Sequence, residues 1–406
     1  MRVHQFVHTL SYGDAISGEA LAIKRLLLRA GFESKIYSVH AHELLKDEVT
    51  PFARFGMELG EAERAGEQTA VILHYSIGSP LNGLFLGAPN IARVMIYHNL
   101  TPEHWFLPYN PRVVADLIQG RGELPELLKE VDLVLADSEY NREELKSFGC
   151  EVSTVLPLLI DIEKWQVPAN GGITAAVRGH GGRNILHVGR TAPNKCIQDI
   201  IKVFYFYHHK IEPKSKLWLI GNDIDTEIYS FELRRLVSEL RLNDAVEFVG
   251  TVADGELRAF YEGADAYICM SEHEGFCVPL LEAMHFGVPV MAYNSTAVGD
   301  TLGDGGILLG RKSPAEVAEL VNLVVTDNEM RAKLIAAGKK RVKDFSPEVF
   351  VANLEKVLIA PLKEHFSKET KLNVSKESSV VESGINNIST GGAGNTNATQ
   401  ALARNG

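Results

Sequence analysis

Short runs of apolar and β-branched residues recur through the first part of the chain, in MRVHQFVHT, ESKIYSV, TAVILHYS, ARVMIYHN and DLVLADSE. Between several of them the apolar positions switch to a three-to-four spacing, as in GEALAIKRLLLRAGF, the period of a helix that buries one face. Strands alternating with such helices predict a parallel sheet covered by helices. The pattern breaks after VSTVLPLLID. The stretch from Pro168 to Arg183, PANGGITAAVRGHGGR, is rich in glycine and lacks a strong amphipathic period, which marks a hinge. A second series then starts, RNILHVGR, KLWLIGN, AVEFVGTV, AYICMS and PVMAYN, separated by helical stretches such as ELRRLVSELRL. The expected fold class is α/β, with two Rossmann-like doubly wound domains facing a central cleft. The expected boundaries are 1–167 for an N-terminal domain, 168–183 for a linker, 184–345 for a C-terminal domain, 346–368 for a C-terminal helix and 369–406 for a tail. The tail, dominated by Ser, Asn, Gly and Thr, reads as disordered. Its sequons at Asn373, Asn387 and Asn397 matter only in a secreted protein and read as incidental.

A chain of 406 residues is long enough for two domains whose cores need neither disulfides nor metals. Its 45% apolar and 23% charged content is that of a soluble globular enzyme, and no apolar run reaches the ~20 residues a bilayer requires. The N-terminus reads as a first strand rather than a signal peptide, so a cytoplasmic location is expected. The net charge of -11 argues against broad nucleic-acid binding. Cys150, Cys196, Cys269 and Cys277 form no close pair of the kind used for zinc, and read as reduced and structural.

The chemistry concentrates in SEHEGFCVPLLEAMHFGVP, Ser271 to Pro289. Pro279 suits the first position of a helix that Leu280, Leu281, Ala283 and Met284 continue. Glu274 then falls just outside that helix and Glu282 one turn inside. The amides of Gly275, Phe276, Cys277 and Val278, at the positive end of the helix dipole, make a site for an anion or for sugar hydroxyls. A carboxylate beside them accepts two hydrogen bonds from a vicinal diol. These parts together suit a nucleotide sugar.

EGFCVPLLE resembles the Glu, seven residues, Glu motif of retaining glycosyltransferases of family four, the glycosyl transferases group 1 type, which have two Rossmann-like domains in the GT-B architecture. The resemblance covers most of residues 1 to 365 and is most specific in the second half. It implies that Glu282 binds the nucleotide ribose and Glu274 the donor hexose, with the Gly275 to Val278 amides on its hydroxyls. After the strand NILHVG, the segment GRTAPNK supplies Arg190 and Lys195, two cations able to stabilise a departing nucleoside diphosphate without a metal. Gly189, Arg190 and Lys195 match the family's Gly-Arg and Lys positions, which contact the donor pyrophosphate. His98, at the end of ARVMIYHN, matches a histidine that bonds the donor sugar near the reacting carbon.

The first glycine loop, SYGDAISGEA, has Gly13 and Gly18 for close backbone approach and Ser17 as a cap. It departs from the family's usual glycine pair, which leaves the roles of Gly13 and Asp14 open. The loop LTPEHWF, with Glu103, Trp105 and Phe106, suits a sugar-binding surface. His74, His187 and His285 fall inside strand or helix patterns with no second ligand at a useful spacing, and read as structural.

The resemblance thus implies a metal-independent hexosyltransferase with Arg190, Lys195, Glu274 and His98 as catalytic residues. Gly13 joins Gly189, Arg190, Lys195, Glu274 to Val278 and Glu282 in binding the donor. No cofactor is expected beyond a nucleoside diphosphate sugar of the GDP-mannose or UDP-glucose type, which is a co-substrate. The acceptor is a glycan or a lipid-linked glycan held on the N-terminal domain. Retention implies front-face attack, with the leaving phosphate helping to deprotonate the acceptor. A peripheral contact with the inner face of a membrane stays open, because Lys24, Arg25 and Arg29 are too few cations to establish it. Three other readings compete: a metal-dependent transferase using Asp223 and Asp225, a nucleotide-sugar epimerase, and a noncatalytic nucleotide-sugar-binding subunit.

Overall fold

A computed structural model describes residues 1–367. Its strands are β1 (Arg2–Leu10), β2 (Ile36–Ala41), β3 (Val49–Pro51), β4 (Thr69–Tyr75), β5 (Ile91–Tyr97), β6 (Leu133–Ala136), β7 (Thr154–Val155), β8 (Asn184–Val188), β9 (Lys216–Ile220), β10 (Val246–Gly250), β11 (Ala266–Cys269), β12 (Val290–Tyr293) and β13 (Ile307–Leu309). They form a seven-stranded sheet ordered β3-β2-β1-β4-β5-β6-β7 and a six-stranded sheet ordered β10-β9-β8-β11-β12-β13. The recorded strand pairings are all parallel. The expected pair of doubly wound sheets is therefore present. Helices on both faces explain why a strand such as β4, TAVILHY, is buried at every position rather than at alternate ones.

The strand order reverses between β1 and β4 in the first sheet and between β8 and β11 in the second. At such a point neighbouring strands send their following loops to opposite faces and leave a crevice beyond their carboxyl ends. Arg190 follows β8 and Glu274 follows β11, so both lie at the second crevice. Gly189 and Gly221 let the loops after β8 and β9 touch. Gly221 has φ +144, and a Cβ there would sit 2.0 Å from the Gly189 carbonyl oxygen.

Within the expected linker 168–183, Gly171–Gly179 forms a short helix. The Asn170 side chain accepts from the amides of Gly172 and Ile173, and Val177 packs fully buried in the second sheet's core. Capping and one anchored apolar residue outweigh the low helix propensity of its glycines. Up to Val357 the chain is one compact unit containing both sheets. A helix spans Pro347–Leu354 and a π-helical stretch Glu355–Ile359. The sequons and the whole of the segment 369–406 lie outside the described residues.

Candidate active site

The loop after β11 enters helix Val278–His285, one residue before Pro279, through Cys277 in a left-handed conformation with φ 79. The helix's first amides have no carbonyl one turn back and face outward from its N-terminus. Phe276 contributes backbone only, because its ring is buried edge-on against Phe345. The Thr301 hydroxyl donates to the Phe276 carbonyl, and the Thr296 hydroxyl both accepts from the Glu274 amide and donates to the Glu274 carbonyl. The loop is thus fixed before any ligand arrives.

Both glutamates are buried, Glu274 at 7% and Glu282 at 4% exposure, and each meets a lysine. Glu274 Oε2 lies 2.5 Å from Lys195 Nζ. Lys195 ends the turn Pro193–Lys195 and is followed by Cys196 at φ 49. That turn is laced to the Glu274 loop, since Asn194 donates to the His273 carbonyl at 2.9 Å and accepts through its own carbonyl from the Glu272 amide at 2.9 Å. Burial alone would raise the Glu274 carboxyl and lower the Lys195 amine. The opposite charge outweighs it in both, so Glu274 is lowered and Lys195 raised. Glu282 Oε1 lies 2.5 Å from Lys164 Nζ, and its Oε2 accepts from the Tyr261 hydroxyl at 2.8 Å. Lys164 also sits 4.4 Å from the centre of the Trp165 ring. The sequence gives no local sign of Lys164 or Tyr261, which lie far along the chain from Glu282.

Arg190 is exposed and donates to the Ile224 carbonyl at 2.6 Å. Asp14, in the first glycine loop, acts electrostatically on Arg190 and on His98. Asp14, not Ser17, caps helix Ala15–Arg29: its carboxylate accepts from the Ser17 amide at 2.9 Å and hydroxyl at 2.8 Å. Gly13 is exposed with φ +76, so its glycine serves the turn rather than a tight contact.

The first sheet reaches the same place through His98 and Asn99. A Cβ on Gly275 would lie 2.6 Å from the His98 carbonyl oxygen and 3.1 Å from Asn99 Cβ. Gly275 is therefore the point where the two halves touch within the site. Asn99 is itself left-handed, φ 82, and is held by Asn141 and Glu144 at 2.9 and 2.8 Å. The His98 ring is buried and both of its nitrogens are engaged, Nδ1 with Asp137 at 2.8 Å and Nε2 with His74 Nδ1 at 2.8 Å. A bond from this ring to a donor sugar requires one of those contacts to open. His74, read from the sequence as structural, belongs to this network. The aromatic loop also departs from expectation: Phe106 is core, Trp105 packs against the apolar clusters of both halves, and Tyr109 packs against that of the second half. Tyr109 meets Tyr229 edge-on at 5.3 Å, so these rings form a seam rather than a sugar platform.

Among the described residues three groups gather donor atoms within 4.8 Å: Glu19, His74 and His98; Cys269, Glu274 and Cys277; and Cys196, Asp199 and Glu272. The fold thus brings together Cys269 and Cys277, which the spacing kept apart. A positive group already serves the second and third sets, Lys195 on Glu274 and Lys312 on Asp199 and Glu272 at 3.1 and 2.7 Å. In the first set the two imidazoles stand 2.8 Å apart. Two ligands of one tetrahedral zinc would stand about 3.3 Å apart, so this spacing is that of a hydrogen bond. Asp223 and Asp225 belong to none of the three groups. No described helix is long and apolar enough to cross a membrane. Lys24, one of the cations considered for membrane contact, is paired with Glu48 at 2.7 Å.

Residues 176–341 match the family model of glycosyl transferases group 1. O-antigen chain mannosyltransferase B of Escherichia coli is 23% identical over 55% of this chain and 60% of its own length. Alpha-monoglucosyldiacylglycerol synthase of Streptococcus pneumoniae is 27% identical over 60% of this chain and 56% of its own length. The chain thus spans less than two thirds of these relatives. Among solved structures, Anabaena HepE in complex with UDP-glucose superposes with a TM-score of 0.70 at 18% identity, covering 89% of this chain and 100% of that one. WaaG, a glycosyltransferase involved in lipopolysaccharide biosynthesis, does so with a TM-score of 0.65 at 12% identity, covering 88% and 99%. Residues 176–341, which carry Arg190, Lys195, Glu274 and Glu282, thus match the glycosyl transferases group 1 family, and the chain has the GT-B fold.

Proposed function

We propose that this protein transfers a hexose from a nucleoside diphosphate sugar to a hydroxyl of a glycan or lipid-linked acceptor, with retention and without a metal. The observation that carries this reading is the pair of buried carboxylate–lysine contacts flanking the helix N-terminus after Cys277, with Arg190 in the loop after the neighbouring strand β8. The mannosyl and glucosyl transfer for which the relatives are named, and the UDP-glucose bound to the HepE structure, agree with a hexose donor of the GDP-mannose or UDP-glucose type.

In this reading Lys195 and Arg190 face the diphosphate, the amides of Gly275 to Val278 and the Glu274 carboxylate hold the hexose, and Glu282 holds the ribose. The bond from the sugar carbon to phosphate breaks while the acceptor oxygen bonds to that carbon on the same face. The acceptor proton passes to the departing phosphate. Lys195 acts before the donor arrives, keeping the buried Glu274 carboxylate ionised so that it can accept hydrogen bonds from hydroxyls, while Lys164 holds Glu282 in place.

The test is consumption of a panel of nucleotide sugars with a mixed glycan acceptor pool, in the presence of a chelator. Release of a single nucleoside diphosphate under chelation is the expected result. Turnover only with added Mg²⁺ or Mn²⁺ refutes the metal-free reading, and donor binding without turnover points to a binding subunit.

Glu282→Gln keeps the Tyr261 contact but weakens the grip on a ribose diol, so KM for the donor should rise about 10-fold with kcat little changed. Arg190→Ala should chiefly lower kcat, by about 10-fold, because an exposed guanidinium acts through a wetter medium than a buried one. Initial-rate kinetics separates the two. Unchanged constants in both variants would remove these residues from the site.

A further inference from the structure

A line of polar side chains crosses the first sheet on the face covered by helix Ala15–Arg29, and its donors and acceptors fix where the protons are. Gln5 donates through Nε2 to the Ala20 carbonyl at 3.0 Å, which sets its amide and turns Oε1 toward His74 Nε2, 2.9 Å away. That contact requires a proton on His74 Nε2, because an amide oxygen only accepts. His74 Nδ1 and His98 Nε2 then share 2.8 Å, and His98 Nδ1 faces the Asp137 carboxylate at 2.8 Å. A neutral His98 that donates to Asp137 would bring two lone pairs together at its other end. Beside an ionised Asp137, the contacts are all satisfied when His98 carries both ring protons, donating one to Asp137 and one to a neutral His74. The two rings lie parallel, 5° apart, which suits this in-line arrangement.

Glu19 completes the group. It is 2% exposed, and neither carboxylate oxygen has a hydrogen-bond partner. One of those oxygens stands 3.7 Å from His98 Nε2 and 4.0 Å from His74 Nδ1. A buried carboxyl left without a donor is costly unless something nearby offsets its charge. The inner edge of the two imidazoles is the feature it faces.

We propose that Glu19, His74 and Asp137 are positioning residues that hold His98 as a doubly protonated imidazolium, a fixed buried positive charge where the first sheet meets the Glu274 loop, complementary to the nucleoside diphosphate of the donor. The role rests on the transferase reading; the proton assignment does not. The groups acting on His98 are Asp137 at the exit of β6, Glu19 in helix Ala15–Arg29, Asp14 at its cap and His74 in β4. Burial opposes the charge, but Asp137 and then Glu19 and Asp14 outweigh it and raise His98 to about 9, while burial and His98 hold His74 well below its usual value. Burial also raises both carboxyls against the pull of His98, Glu19 to about 8, so at neutral pH the Asp137 contact carries most of the hold on His98 and Glu19 adds its full charge only near the His98 midpoint. Because His98 is raised above its unfolded value of 6.5, its contribution to stability is full below that pH and fades as pH rises through about 9.

The test is ¹⁵N spectroscopy of histidine-labelled full-length protein between pH 6 and pH 10, with signals assigned through His98→Gln and His74→Gln. Expected is a His98 with both nitrogens protonated at neutral pH and a deprotonation midpoint near 9. Asp137→Asn should lower that midpoint by at least about one unit, a tenfold change in proton affinity. Glu19→Gln should lower it in the same sense and serves if Asp137→Asn folds poorly. The alkaline limb of kcat/KM should move with the midpoint in each variant. A neutral His98 at pH 7 in the wild type, or a midpoint unmoved in the variants, overturns the proposal. Activity lost without a shifted midpoint also overturns it, leaving a structural role. Absence of any transferase activity refutes the function proposed above, while the spectra still decide the proton assignment.

Discussion

Lys195→Met is expected to lower kcat/KM for the donor about 100- to 1000-fold, the usual effect of removing one preorganised charge from the place where negative charge develops. It should also destabilise the fold by roughly 3 kcal/mol, because the buried Glu274 carboxylate is left without its cation. The figure is at the low end for a broken buried pair, since the Lys195 side chain is 21% exposed and keeps some water. Lys195→Met combined with Glu274→Gln separates the two effects. Removing both charges should recover most of the stability and none of the turnover. In the wild type the pair contributes across a wide window. The share from the lowered carboxyl is present above about 4.5 and fades as pH falls, and that from the raised amine is present below about 10.5 and fades as pH rises. Chemical denaturation and initial rates read both. A stable, fully active Lys195→Met would remove the pair from the mechanism.

Gly275→Ala should lower kcat/KM by about 100-fold, although the added methyl carries no charge. The new Cβ would press on the His98 carbonyl oxygen at 2.6 Å and Asn99 Cβ at 3.1 Å, and both belong to backbone or to a left-handed residue held by two side chains. Something must move, and a shift of about 1 Å between the carboxylate loop and the first sheet is enough for a loss of that size. Crowding of this kind destabilises by about 1 to 3 kcal/mol, so the activity loss should exceed what unfolding explains. Gly18→Ala is the matched control. Its Cβ would meet nothing within 4 Å, and it lies in helix Ala15–Arg29, where alanine is favoured by roughly 0.5 to 1 kcal/mol. Equal activity loss in the two variants would defeat the seam argument.

These residues also show what was legible along the chain. The two sheets were, because a strand buried on both faces is apolar throughout and the helices between carry their own period. The carboxylates and their glycine loop were too, since the parts lie within one strand exit and helix start. Lys164 and Tyr261 were not: they meet Glu282 only because the linker region and another helix fold back over it. His74 and Gln5 gave one available sign, polar residues inside otherwise apolar strands, and Glu19 gave another as an acid on the buried face of its helix. The loop with Trp105 misled for a physical reason, since an aromatic ring suits an inter-domain seam as well as a sugar. The helix inside segment 168–183 was not legible, because it rests on one cap and one buried valine in a composition that disfavours helix.

The polar line through Gln5, His74, His98 and Asp137 climbs as it crosses four adjacent strands. Gln5 stands two positions before Val7, the neighbour of His74; His98 stands two beyond Ile96, the next neighbour of His74; and Asp137 follows Ala136, which pairs with Tyr97. Apolar strands of similar composition can pair one residue out of step at little loss of burial. Here such a slip on any of the four strands would turn its polar side chain to the opposite face and strand its partners among apolar atoms, at about 1 to 3 kcal/mol for each group left unpaired. The same contacts that set the charge of one histidine therefore also select a single alignment of the sheet while the chain is folding.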